Sequence, residues 1–253
     1  MTNAFLNRRR VSLAAAGIAL AAALVARPAH AQTTFSVNTG TASTASSDLR
    51  IRQPQNGTDI LFRGIDWSTR AFSGSMYYGY RIEHYFKNRP NLGFDIDFTH
   101  NKAYSNPDQI VATSGTFGGQ PVSGDTRLGD RVQEYRITNG INTIGLDVLY
   151  RFPGRSAPGY PNGRLQPYVG GGPAYFIVYG VNTVNGAEGG RKYENSDFGF
   201  QLKAGARYFL SPKISFFAEL KYTDGVGKPS VAGGDSETNL RSTHTLIGLG
   251  YTF

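Results

Sequence analysis

The chain contains no cysteine. That excludes disulfides, thiolate metal sites and lipid attachment through a cysteine thiol. Charge is sparse, at 17% of residues. After residue 31 no apolar run approaches the roughly 20 residues of a membrane-spanning helix. A phosphate-binding loop, a zinc-protease helix, a Gly-x-Ser-x-Gly nucleophile and paired cysteines are all missing. The common soluble enzyme classes lose their sequence support with them. After residue 31 there is also no basic run interleaved with aromatics, so nucleic acid is not an expected partner.

Glycine (32 residues) and aromatics (13%) are abundant instead. The last eleven residues alternate large apolar or aromatic residues with small or polar ones. Thr245, Ile247, Leu249, Tyr251 and Phe253 make one face; His244, Leu246, Gly248, Gly250 and Thr252 make the other. A strand with lipid on one side and a lumen on the other has this pattern. Leu249, Tyr251 and Phe253 are expected to act as an assembly signal, read by the barrel-assembly machinery. At the other end, Arg8, Arg9 and Arg10 precede an apolar stretch over residues 11–25 and an Ala29-His30-Ala31 cleavage pattern. Residues 1–31 are therefore expected to be a signal peptide cleaved near Ala31. Its four arginines and lack of acids account for half of the formal +8, leaving +4. A mildly cationic exported chain suits anionic lipopolysaccharide.

Residues 32–57 are rich in Thr, Ser, Asn and Gln and read as a flexible periplasmic lead-in. Residues 58–253 read as an all-β, eight-stranded antiparallel up-and-down transmembrane barrel. Its strands are expected near 58–67, 76–86, 92–102, 142–152, 165–178, 197–210, 214–224 and 242–253. The connections at 87–91, 153–164 and 211–213 are tight. Those at 103–141, 179–196 and 225–241 are long, with 68–75 a short exception. Tight turns on one side and long loops on the other are the outer-membrane arrangement. The run Gly170-Gly171-Gly172-Pro173 is expected to mark a bulge or bend.

Alternation also sorts the charges. In the fourth strand Ile144, Leu146, Val148, Tyr150 and Phe152 oppose Gly145, Asp147 and Arg151. The third, sixth and seventh strands behave alike. Lipid must take the apolar set, so the lumen is expected to hold Arg81, Glu83, Asp95, Asp97, Asp147, Arg151, Lys203, Arg207, Glu219 and Lys221. These are five acids and five bases. An eight-stranded interior is only wide enough for its own side chains. Ionised groups there have to be paired, so a salt-bridged plug is expected rather than a pore.

His84 and His100 fall on the lipid-facing parity, near the periplasmic and extracellular ends respectively. A deacylase pairing, His with Ser two residues on, is absent: Phe86, Lys102 and Leu246 stand at that spacing from His84, His100 and His244.

Several segments carry a family resemblance. They are Tyr77-Tyr78-Gly79-Tyr80-Arg81, residues 91–104 with Phe94-x-x-x-Phe98-Thr99-His100, Thr138-Asn139-Gly140-Ile141-Asn142 leading into 149–153, Pro167 to Gly172, and residues 233–239. In these the chain resembles OmpA-like eight-stranded outer-membrane barrels, and most closely the lipid A oxidase-like outer-membrane family. The resemblance covers roughly residues 59–253. It implies oxygen-dependent oxidation of the proximal glucosamine of lipid A. Where family members often carry a Pro-His pair with a Glu close behind, this chain has Phe176-Ile177-Val178-Tyr179-Gly180.

The expectation is a non-porin barrel of the bacterial outer membrane, acting at the outer leaflet through extracellular loops and lipid contacts. A lipid A-modifying enzyme is the first alternative and an adhesin or structural barrel the second. If it is an enzyme, Asp97, His100 and Tyr104 are the candidate catalytic residues, and a divalent cation is possible. Otherwise no cofactor is expected. The partners expected are outer-membrane lipid and lipopolysaccharide, and the chain is expected to be a monomer. Replacing Phe253 with Ser should lower the yield of heat-modifiable barrel in outer-membrane fractions; a wild-type yield would rule out the terminal face as an assembly signal.

Overall fold

The computed structural model describes residues 32–74, 76–152 and 154–253. The expected signal peptide lies outside them. Fourteen strands follow one another: β1 (Gln32–Thr44), β2 (Ser47–Gln53), β3 (Thr58–Ile65), β4 (Trp67–Ser68), β5 (Tyr78–Phe86), β6 (Arg89–Ser105), β7 (Ile110–Phe117), β8 (Gln120–Arg127), β9 (Val132–Arg151), β10 (Leu165–Val184), β11 (Ala187–Phe209), β12 (Ile214–Gly227), β13 (Ser230–Val231) and β14 (Gly234–Thr252). Eight of them close a ring in the order β1-β5-β6-β9-β10-β11-β12-β14, with β1 returning to β14. All pairings are antiparallel. The closing seam runs from Thr34 opposite Thr252 to Thr44 opposite Ser242. Phe253 N–H donates to Thr33 O at 3.0 Å, which ties the last residue to the first strand.

The ring has the expected number of strands but not the expected first member. Residues 32–57 are not a lead-in: 32–44 form the first barrel strand, and 47–53 form β2. Thr34, Ser36 and Asn38 face inward there, while Phe35 and Val37 are exposed outside. Thr, Ser and Asn read as a linker because above Val37 the outward positions are also polar. Yet β-branched Thr suits a pleated strand. Residues 58–67, expected to open the barrel, lie outside the ring. They supply β3 to a second sheet, β14-β2-β3-β7-β8, which grows from the upper part of β14 at Asp235–Thr238.

The expected long loops are mostly strand. β6 and β9 continue to Ser105 and back from Val132, with the β7–β8 hairpin between them. β10 and β11 meet at a two-residue turn, Asn185-Gly186, with φ of 50° and 77°. Both residues need positive φ there, which is why Asn-Gly suits it. The register of β10 with β11 is unbroken from Leu165 to Tyr175, so Gly170–Pro173 is not the bulge. The shifts fall at Tyr175/Ile177 and Tyr179/Val181.

Hydrophobicity inverts along the strands. In the half nearest Phe253 the apolar side chains point out: Ile144, Leu146, Val148, Leu202, Leu220, Ile247 and Leu249 are all exposed. Water tolerates no such continuous belt, whereas lipid requires it. In the far half the apolar side chains point in. Leu49, Ile51, Ile60, Phe62, Ile65, Tyr135, Ile137, Phe176, Val178 and Leu240 form one buried core, with Trp67 packed against it. The β2-β3-β7-β8 sheet covers this core.

Trp67 is the only tryptophan of the chain. Its ring lies 6.0 Å from that of Tyr135, and its Nε1–H donates to Ser47 Oγ at 2.8 Å. Truncating the fully buried Phe62 to Ala should destabilise this core by about 3–5 kcal/mol. Trp67 emission should then shift at lower denaturant while the heat-modifiable ring persists. Loss of both together would mean that ring and cap are one cooperative unit.

Candidate functional site

Inward positions of the ring half carry the charges. Arg81 on β5 is fully buried at the centre. Its Nη1 and Nη2 donate to the two oxygens of Glu219 on β12, each at 2.7 Å. Its Nε and Nη2 donate to Asp97 Oδ2 on β6 at 2.9 and 2.7 Å. Asp95 lies 3.3 Å from Nε. This forked recognition of carboxylates is what a guanidinium does best.

Lys203 on β11 adds a second hub, 2.9 Å from Asp95, 3.2 Å from Asp97 and 2.5 Å from Asp147. Lys221 on β12 bonds Asp97 and donates to Thr99 Oγ1 at 2.7 Å. Tyr168 donates its hydroxyl to Glu219 at 2.7 Å, and Gln201 donates to Asp147 at 2.6 Å. Four carboxylates thus share three cations in one buried cluster. A separate pair, Arg207 with Glu83 at 2.8 Å, sits toward the Phe253 end.

Small residues make the room. A Cβ on Gly145 would meet Gln201 Nε2 at 2.0 Å, and one on Gly250 would meet Arg207 Nη1 at 2.2 Å. Nine of the ten residues expected in a salt-bridged set are ion-paired in this way. Arg151 is the exception. It is buried, but bonds Pro90 O, Gln32 Oε1 and Gln166 Oε1, and its guanidinium lies 3.9 Å over the Tyr85 ring. It sits at the turn end, where backbone oxygens and a ring face replace a carboxylate.

The three candidate catalytic residues do not converge. Asp97 faces the lumen with both oxygens taken by Arg81, Lys203, Lys221 and Thr99. His100 has the opposite parity. It is covered by Tyr78, whose ring stacks on it at 4.7 Å, and its Nδ1 bonds Asn142 Oδ1 at 2.9 Å. Tyr104 lies beyond the β6 irregularity, with its hydroxyl 3.1 Å from Thr138 Oγ1. His84 contacts Thr33 Oγ1 at 2.9 Å on the outer side. His244 is buried in the lumen between Tyr77 and Thr223, at 2.9 and 3.0 Å. Leu249, Tyr251 and Phe253 form the outward face of β14 and are exposed. Among the described residues no group of His, Asp and Glu is arranged to hold a metal ion.

Sequence reasoning missed Tyr77 and Tyr168 as lumen partners. Tyr168 lies on the strand whose alternation the glycines obscure. Phe176 and Val178, which stand where the resembling family carries its Pro-His element, are packed in the far core. In that half, burial pushes the Tyr135 hydroxyl up, and hydrogen bonds from Arg50 hold Asp59 below the usual carboxylate range.

Residues 12–253 match the family model described as outer membrane protein beta-barrel domain. No curated protein matches the sequence. Among solved structures the chain is similar to OprG from Pseudomonas aeruginosa, at 15% identity over 89% of this chain and 96% of that one, with a TM-score of 0.47. It is also similar to Neisserial surface protein A, at 14% identity over 88% and 99%, TM-score 0.43. A third is the outer membrane protease OmpT from Escherichia coli, at 13% over 89% and 97%, TM-score 0.42.

Removing Glu219 leaves Arg81 with half its fork and Tyr168 without an acceptor. Glu219→Ala should cost about 3–5 kcal/mol in urea unfolding from lipid vesicles. An unmoved midpoint would show that the cluster is solvated rather than interlocked.

Proposed function

Because the chain belongs to the outer membrane protein beta-barrel domain family, and so resides in the bacterial outer membrane, we propose that it is a closed, non-conducting barrel. It works at the outer leaflet through its far sheet and its lipid contacts. The observation that carries this reading is the occupation of the interior. The Arg81 cluster fills the middle of the ring, and the apolar core around Phe62 and Phe176 fills the half beyond it. Ions would have to break charge-assisted pairs and then cross a dry core, both costly steps. Tight turns belong at the periplasmic side of such barrels, which puts the far sheet outside the cell.

The oxidase expectation draws no support from this arrangement. Asp97 and His100 lie on opposite faces of β6, and the far core occupies the place of the family's Pro-His element. Reconstituted in planar bilayers, the protein should give no sustained conductance; steady single-channel steps would overturn the closed reading. Lipid A from cells with and without the protein, grown in air, should have the same mass. A protein-dependent gain of one oxygen would restore the enzymatic reading.

A further inference from the structure

One group of cations is not used by the lumen. Tyr104 on β6 stands opposite Arg136 on β9, on the outer wall where the ring passes into the far sheet. Two cations gather round its ring and a third stands opposite it on β9. Arg70, in the connection between β4 and β5, holds its guanidinium carbon 4.6 Å from the ring centre. Lys102 Nζ lies 5.8 Å from it. Arg136 comes from the neighbouring strand.

Among the described residues only one of the three, Arg136, has an acidic partner. Lys102 is 1% exposed, yet its only hydrogen bond among the described residues is to the Ser73 carbonyl, and no carboxylate pairs with it. Arg70 has no acidic partner among the described residues. Arg136 Nε lies 3.1 Å from Glu134 Oε1 but off the hydrogen-bond direction, so this buried N–H has no acceptor. Three cations against one acid leave a local charge of +2. A buried, unpaired ammonium is costly unless an anion completes it. Beside the cluster the same connection exposes Phe72 and Met76, at 71% and 61%. Apolar side chains next to cations on a barrel's outer wall match a ligand with an anionic head and hydrocarbon tails.

We infer that Arg70, Lys102 and Arg136, arranged round Tyr104, bind a phosphate group of outer-leaflet lipopolysaccharide. This rests on the outer-leaflet reading, but not on the barrel being closed. A conducting barrel could still hold the phosphate, and a closed one could fail to. Arg70 and Arg136 supply planar forks for a phosphate's oxygens, and Lys102 a point charge beneath them. Tyr104 holds Arg70 by its ring face.

The test uses the full chain refolded in detergent, with lipopolysaccharide binding followed by native mass spectrometry. Arg70→Gln with Arg136→Gln removes the two guanidinium groups that are not fully buried; Lys102→Met is a second variant, accepted only if it remains heat-modifiable. Wild-type protein should bind phosphorylated lipopolysaccharide at least tenfold more tightly than the double variant does. Enzymatically dephosphorylated lipopolysaccharide should bind wild type no better than the double variant binds the intact lipid. Equal binding by wild type and a folded double variant would overturn the site. So would undiminished binding of the dephosphorylated lipid. Displacement of the lipid by millimolar inorganic phosphate would assign the cluster to free phosphate and overturn the lipid source.

Discussion

Hydrocarbon offers no partner to a backbone N–H or C=O, so a strand in a bilayer must have a neighbour on both edges. The seam between β1 and β14 is where this chain meets that demand. Without it two long edges would face lipid, each orphan group costing several kcal/mol. Closure with eight strands then fixes the width of the interior, and the width decides what the interior can hold. Its charges are buried, forked and shared. Arg81 answers Asp97 on the neighbouring strand and Glu219 from across the ring, and Lys203 serves three aspartates at once.

The same strands obey opposite rules at their two ends. On β9, Leu146 and Val148 point outward where Asp147 points in; higher up, Tyr135 and Ile137 point inward. On β10 the inward positions pass from Tyr168 and two glycines to Ala174, Phe176 and Val178. The change marks the passage from lipid to water outside the wall. In lipid the exterior is the apolar phase, so polar groups can stay inside if paired. In water the interior must become the apolar phase. The far half is thus a soluble β-structure continuous with a membrane ring, and β2-β3-β7-β8 supplies the layer that covers its core. The cations around Tyr104 lie at this passage.

Much of this was legible from residue order. The period-two pattern on β5, β6, β9, β11, β12 and β14 assigned the wall and gave each lumen charge its side, because a residue's parity within a strand does not depend on its partners. The Asn185-Gly186 turn was also legible as a hairpin signal, and would have shortened the supposed loop around it. Residues 58–67 gave no warning of their own: Ile60 and Phe62 alternate with Asp59 and Arg63, the same pattern as a strand whose apolar face meets lipid while the other holds charge.

What the sequence determined by itself was the barrel, its solvent and the inventory of its lumen, since these follow from alternation. What only the tertiary structure decided was membership and pairing. Whether 32–44 or 58–67 closes the ring depends on which segment can lie along β14, a matter of register between residues two hundred positions apart. That Arg151 leaves the ionic cluster for Tyr85 likewise depends on depth and direction in three dimensions. Parity assigns a face; it does not say who stands opposite.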